Sequence, residues 1–161
     1  MQSSSNYSKK SDIILENATG AAVRLGNSHI LPEHLLLGIV ELYNDNTSIF
    51  QRFGLSTNRD RTFARLPGMS IRKLESLIQR QNIGFDHRVK GEPEWSAETI
   101  RALELASHEQ YWSDQAKIQP ENILVGILRT EKGRVLAEAL GITDWDKTIQ
   151  DLRADLFTKM A

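Results

Sequence analysis

Three side chains near the first third of the chain have types that could do chemistry: His29, Glu33 and His34. Imidazole and carboxylate are the ordinary ligands of zinc and the ordinary partners of a general acid–base pair. Their spacing argues against both uses. Histidines five apart do not share a helical face, where neighbours stand three or four apart. The chain also supplies no oriented nucleophile for a glutamate–histidine hydrolase. It contains no cysteine, which removes disulfides, thiolate metal sites and cysteine nucleophiles. The reading is therefore of a non-enzyme with no metal or cofactor, in which His34 packs or caps a helix.

The elements that must position these residues come in two copies. Ile30-Leu31-Pro32-Glu33-His34-Leu35-Leu36-Leu37-Gly38-Ile39-Val40 returns 88 positions later as Ile118-Gln119-Pro120-Glu121-Asn122-Ile123-Leu124-Val125-Gly126-Ile127-Leu128, with six of eleven positions identical. Lys117 and Asn122 stand where the first copy has His29 and His34, a further argument against metal binding. In each copy proline suits the first helical position, where its missing N–H is not needed. Glu33 and Glu121 then place negative charge at the positive end of the helix dipole, worth about 0.3 to 1 kcal/mol each. The leucine-rich run that follows is apolar nearly all round, the mark of a helix buried on most sides. Gly38 and Gly126 lie within it at a cost of about 1 kcal/mol relative to alanine, so their recurrence predicts a close helix–helix approach.

Around this motif, Ile14, Ala18, Ala21 and Leu25 predict a first helix with Ser11 as N-cap and Gly26-Asn27-Ser28 as its stop. Ile49, Phe50 and Phe53 predict a short third helix ending at Gly54, and Ser70 a fourth carrying Ile71, Leu74, Leu77 and Ile78. In the second copy Ser96 starts a helix with Ile100, Leu103 and Ala106 facing inward, extended by Tyr111 and Trp112 as core or inter-repeat packing. Glu131-Lys132-Gly133 reads as a turn, Val135, Leu136, Ala139 and Leu140 as the counterpart of the third helix, and Thr143 or Asp144 as the cap of a last helix bearing Trp145, Ile149, Leu152 and Leu156. No alternating run of β-branched residues suggests a sheet. The expected organisation is a disordered lead-in over 1–10, a first repeat over 11–78, a linker over 79–94 and a second repeat over 95–161.

Of the 161 residues, 40% are hydrophobic and 25% charged, with a formal net charge of −1. Such a balance gives no general attraction to nucleic acid or anionic membrane. Arg59, Arg61, Arg65, Arg72 and Lys73 form a basic segment without interleaved aromatics, read as a solvated face where the copies differ most. No apolar run approaches the ~20 residues of a membrane span. The polar, serine-rich start is neither a secretory signal nor an arginine-rich transit sequence, and the expected location is the cytoplasm, or the plastid stroma for a mature form that has lost its transit peptide.

With the motif written as I-x-[PT]-E-[HN]-[IL]-L-x-G-[IL] and each copy reaching L-G-[IL] after a short helix, the chain from Ser8 to Leu156 resembles the double repeat of the Clp N-terminal domain, found in unfoldases of the ClpC and ClpA type. The resemblance implies an all-α fold of two pseudo-symmetric four-helix repeats. It also implies a non-catalytic module that receives protein substrates or adaptors for an ATP-dependent unfoldase, through a groove between its halves. No phosphate-binding G-x-x-x-x-G-K-[ST] loop is present, so any ATPase is a separate element. Free-standing relatives serve as accessory subunits of Clp protease rings, which makes docking on Clp unfoldase or protease subunits the alternative. In some ClpC-type domains the motif carboxylates bind phosphorylated arginine with the help of a threonine. Those positions correspond to Glu33 and Glu121, with Pro32 and Pro120 where the threonines would stand. A carboxylate can still accept two parallel hydrogen bonds from a guanidinium; proline cannot replace the hydroxyl.

Overall fold

The computed structural model describes residues 6–44, 71–81, 92–113, 115–139 and 144–160. Among them are seven helices: α1 (Lys9–Arg24), α2 (Pro32–Asn44), α3 (Ile71–Gln81), α4 (Ala97–Trp112), α5 (Pro120–Leu128), α6 (Glu131–Ala139) and α7 (Trp145–Met160). Two strands of two residues each, β1 (His29–Ile30) and β2 (Glu94–Trp95), complete the described elements. The fold is all-α. The expected third helix at Ile49 to Gly54 lies outside the described residues, as do Arg59, Arg61, Arg65 and the cap position Ser70.

The halves are built alike. In each, the motif helix packs along the repeat's first helix, α2 on α1 and α5 on α4. The motif glycines make this possible. A Cβ at Gly38 would stand 2.6 Å from the Ile14 carbonyl oxygen, and one at Gly126 would stand 2.2 Å from that of Ala102. Ile14 and Ala102 are themselves equivalent positions, so the close approach recurs. Apart from Glu41, α2 and α5 are buried along their described side chains and fill the core with Leu35, Leu37, Ile39, Ile123, Leu124 and Ile127. At about 1.5–3 kcal/mol per buried large aliphatic side chain, these two helices supply much of the stabilising burial. α3 adds Leu74 and Ile78, and α7 adds Ile149 and Leu152. Arg24 joins three helices at the surface, with Nη2 3.4 Å from Glu41 and 3.1 Å from Glu75.

The halves are latched to each other reciprocally. The segment before α1 meets the segment before α5, where Tyr7 bridges Ile118 in parallel. The segment before α4 meets the segment before α2, where β2 pairs with β1 in parallel, Ile30 opposite Trp95. Ser8 caps α1 by accepting from the Ser11 N–H at 3.2 Å, and Ser96 caps α4 by accepting from the Thr99 N–H at 3.2 Å. The capped residue then crosses to the other repeat. Ser11 Oγ donates to the Ile118 carbonyl at 2.8 Å, and Thr99 Oγ1 donates to that of Ile30 at 2.7 Å. Every residue of this latch has its partner 88 positions away.

Several expectations change. Ser8, not Ser11, is the α1 N-cap, because the Ser11 hydroxyl is committed to Ile118. Residues 6–10, assigned above to the lead-in, instead make the bridge and open α1. The linker shrinks from both ends, since α3 runs to Gln81 and β2 begins at Glu94; residues 82–91 lie outside the described residues. Glu131-Lys132-Gly133 is not a turn but the first turn of α6, capped by Thr130, whose Oγ1 accepts from the Gly133 N–H at 3.0 Å. Gly133 is small because α5 ends against it, not because the chain turns there; a Cβ would overlap the Ile127 carbonyl. Val135 faces outward while Leu136 and Ala137 are buried. Tyr111 and Trp112, expected to pack, are 75% and 79% exposed. Other readings hold. Gly26, at φ 75°, closes α1 with Asn27 N–H on Ala22 O at 2.8 Å and Gly26 N–H on Val23 O at 3.1 Å, the paired bonds of a Schellman stop. Asp144 caps α7 through the Lys147 N–H.

Candidate functional site

The structure puts the motif residues inside the protein. Pro32 and Glu33 open α2, Pro120 and Glu121 open α5, and all four are buried. Both glutamates are closed to solvent. Glu33 Oε2 lies 3.8 Å from Lys132 Nζ, so the carboxylate of one repeat meets the first turn of α6 in the other. Pro32 and Pro120 fix the backbone of the first turn and offer no donor.

The third residue of each motif helix is its capping group. His34 Nδ1 accepts from the Leu31 N–H at 2.8 Å, and Asn122 Oδ1 accepts from the Gln119 N–H, also at 2.8 Å. Imidazole and amide thus do one job at equivalent positions. With Nδ1 accepting, the ring proton sits on Nε2, which donates to Asn27 Oδ1 at 3.1 Å in the interior. Burial, followed by the nearby Arg24 charge, lowers the His34 pKa to about 4. His29 is separate from this arrangement; it is exposed and contacts the Ser28 hydroxyl at 2.9 Å. Among the described residues no three His, Asp or Glu side chains come together in a metal-binding group.

The surface feature made by the pseudo-symmetry is a groove of about 990 Å³ between α1 and α4. Its walls are equivalent residues facing each other: Tyr7 and Trp95, Leu15 and Leu103, Thr19 and Ser107, Ile30 and Ile118, Asn6 and Glu94, Asp12 and Ile100. The latch positions them, since Tyr7, Trp95, Ile30 and Ile118 are the bridged residues themselves. Glu92, Pro93 and Glu104 complete the lining. Ile100, expected to point into the core, is 47% exposed and belongs to this surface instead. The α4 side facing the core carries Thr99, Ala102, Leu105, Ala106 and Glu109. The residues Asp12, Leu15, Leu103 and Glu104 give no sign of a site when read singly. The signal that could have found them is the 88-residue offset applied to the first helix of each copy.

Chemically the groove pairs an apolar floor with carboxylates. Asp12, Glu92, Glu94 and Glu104 line it, and among the described residues no lysine, arginine or histidine does. Partial burial holds the Asp12 carboxyl above its ordinary value, Glu16 adds to the effect and Lys117 opposes it. Asp12 Oδ1 is enclosed without a hydrogen-bond partner among the described residues.

Comparison with known proteins places this architecture. No curated protein matches the chain. Among solved structures it is similar to the N-terminal domain of the Clp protease-associated chaperone ClpD from Arabidopsis thaliana, at 19% identity and a TM-score of 0.64, covering 99% of this chain and 100% of that one. It is similar to the Hsp104 N-terminal domain from Candida albicans at 18% identity and a TM-score of 0.66, covering 94% and 91%. The N-terminal domain of the ClpV1 ATPase from enteroaggregative E. coli gives 17% identity and a TM-score of 0.59, covering 94% and 85%. At these identities the likeness is one of fold. The model of the Clp repeat (R) N-terminal domain matches residues 6–140, and the chain belongs to that family of protein-binding modules.

Proposed function

We propose that the chain is a receiving module of a Clp-type machine, which binds a segment of a protein substrate or adaptor in the groove between α1 and α4 and presents it to an ATP-driven unfoldase. The observation that carries this reading is the groove itself: an open, mostly apolar channel walled by matched residues of both repeats and held by the reciprocal latch. Concave surfaces with an apolar lining and a few placed polar groups are the usual form of a binding site. The test is capture of a labelled unfolded polypeptide by the purified chain, with Ile100→Ser as the groove variant. Ile100 lines the groove and is 47% exposed, so melting should change little while capture falls. Equal capture by the variant would refute the groove.

The buried motif carboxylates take a separate arm of the same test. Loss of capture in a Glu33→Gln, Glu121→Gln variant that melts like the wild type would assign recognition to those residues and their prolines. The alternative, an accessory subunit that docks on a Clp ring, draws on the exposed basic face of α3, with Arg72, Lys73 and Arg80 pointing to solvent. It predicts stoichiometric co-migration with the ring without substrate, lost on reversing those three charges.

A further inference from the structure

We infer that the groove selects positively charged extended polypeptide segments, seating apolar side chains against Trp95, Ile100 and Leu103 and placing lysine or arginine against Asp12, Glu94 and Glu104. The inference rests on the groove reading above and adds the class of segment. Among the described residues four carboxylates line the channel and no cation does. The surrounding cations are few and stand outside the lining: Arg101 Nη1 is 3.4 Å from Glu104 in an exposed pair, His29 Nε2 is 3.9 Å from Glu94, and Lys117 acts on Asp12 only as a nearby charge. The whole chain is close to neutral, so this concentration of negative charge is local, and a local field of one sign steers and selects ligands of the other.

The pseudo-symmetry sharpens the point. Glu16 and Glu104 are equivalent, so both helices bring a carboxylate to the channel region. Asp12 faces a position where the other repeat has Ile100, and Glu94 one where it has Asn6. The added charge is therefore unevenly placed over a matched apolar floor. An acidic or neutral segment could satisfy Tyr7, Trp95, Ile100 and Leu103 equally well, but only a cationic one also brings positive charge to Asp12, Glu94 and Glu104.

The experiment uses three fluorescent peptides of equal length with one apolar sequence, flanked by Lys/Arg, by Ser/Gln or by Asp/Glu, titrated with the full chain and followed by anisotropy. Partly exposed ion pairs change affinity by about 1.5- to 5-fold each. Three of them should give the basic peptide about a tenfold advantage over the neutral one, shrinking as salt rises from about 0.1 M to about 1 M. An Asp12→Asn, Glu94→Gln, Glu104→Gln variant should lose the advantage, read as the ratio of its affinities for the basic and the neutral peptide. Equal affinity of wild type for all three peptides would overturn the inference while leaving the groove reading intact. So would a preference for the acidic peptide, or an advantage that survives in the variant. No binding of any peptide would overturn both. Concentration-dependent self-association abolished by the triple variant, without peptide binding, would put a second copy in the groove and also overturn it. The wild-type peptide comparison stands even if the variant fails to fold.

Discussion

Acidification should destabilise this protein through His34, and replacing that residue by the one its own second repeat uses should remove the effect. In the fold, His34 Nδ1 caps α2 by accepting from the Leu31 N–H, so the neutral ring is the form that fits. A proton on Nδ1 would set two donors face to face at the helix start. The folded pKa is about 4, against an ordinary 6.5. The sign follows from which state binds more protons. Between those two values the unfolded chain carries a proton that the folded one refuses, so the stability contribution is fully present above pH 6.5 and is lost as pH falls toward 4. At 1.36 kcal/mol per pKa unit, the loss reaches about 3 kcal/mol below pH 4 and is about 2 kcal/mol between pH 7.5 and pH 5. For a chain of this length that corresponds to a melting shift of about 4–8 °C.

The control is His34→Asn. At the equivalent position Asn122 Oδ1 makes the same cap, so the variant keeps the helix start, loses the contact to Asn27, and should carry a pH-independent cost of about 1 kcal/mol. Asp12 and Glu41 titrate in the opposite sense: burial is the largest cause raising each carboxyl in the fold, so their protonation favours the folded state on acidification. Both remain in wild type and variant and cancel in the difference. The stability curves of the two proteins should therefore cross as pH falls, wild type being the more stable by about 1 kcal/mol at pH 7.5 and the less stable by about 1 kcal/mol at pH 5. Parallel curves would refute the argument, as would an NMR titration in which the His34 ring protonates near pH 6.5.

Three further outcomes follow from the packing. Gly126→Ala and Gly38→Ala should both destabilise, by about 1–3 kcal/mol of overpacking less about 1 kcal/mol of gained helix propensity, and Gly126 the more because its approach is tighter; Gly20→Ala, with nothing near its would-be Cβ, should stabilise by about 0.5–1 kcal/mol in chemical denaturation. Ser11→Ala and Thr99→Val should each cost about 1 kcal/mol by removing the cross-repeat hydrogen bond, and the loss should register as faster amide exchange at Ser8, Glu94, Ser96 and Ile118, whose N–H groups donate across the latch. Trp112→Ser should leave the melting temperature within the range of ordinary surface changes, about ±0.5 kcal/mol, while quenching little core fluorescence.

What was legible in the sequence was what repeats. The motif helices, their prolines and the close approach at Gly38 and Gly126 could be read because two copies carry the same solution at the same offset. Misreadings fell where one residue type serves two purposes. Serine at position 11 looks like a cap because serine often caps, yet its hydroxyl reaches a carbonyl 107 residues away, a contact no local rule contains. Ile100 fits the helical stripe, but the stripe's inward face is set by Thr99 and Ala102, which the latch and the Gly126 approach require. Tyr111 and Trp112 have the size of core residues but stand in the last turn of α4, where they are exposed among the described residues. Gly133 reads as a turn because glycine often turns the chain, when its role is to let α5 end against α6.

The comparison between the halves also separates structure from recognition without reference to any other protein. Where equivalent residues face the latch or the helix crossing they are the same or nearly so: Ser8 and Ser96, Ser11 and Thr99, Ala18 and Ala106, Ile30 and Ile118, Gly38 and Gly126. Each pair answers one geometric demand made twice, and a larger or differently shaped side chain would break a bond or a contact already measured above. Where equivalent residues face the groove, the floor keeps its apolar character through Leu15 and Leu103, but the charged rim departs: Asp12 against Ile100, Asn6 against Glu94. Packing makes no demand for a partly buried carboxylate at position 12, since the fold tolerates isoleucine at its counterpart. A ligand does make such a demand, and the asymmetry of the rim means that a bound chain meets unlike ends, although the scaffold beneath it is nearly twofold.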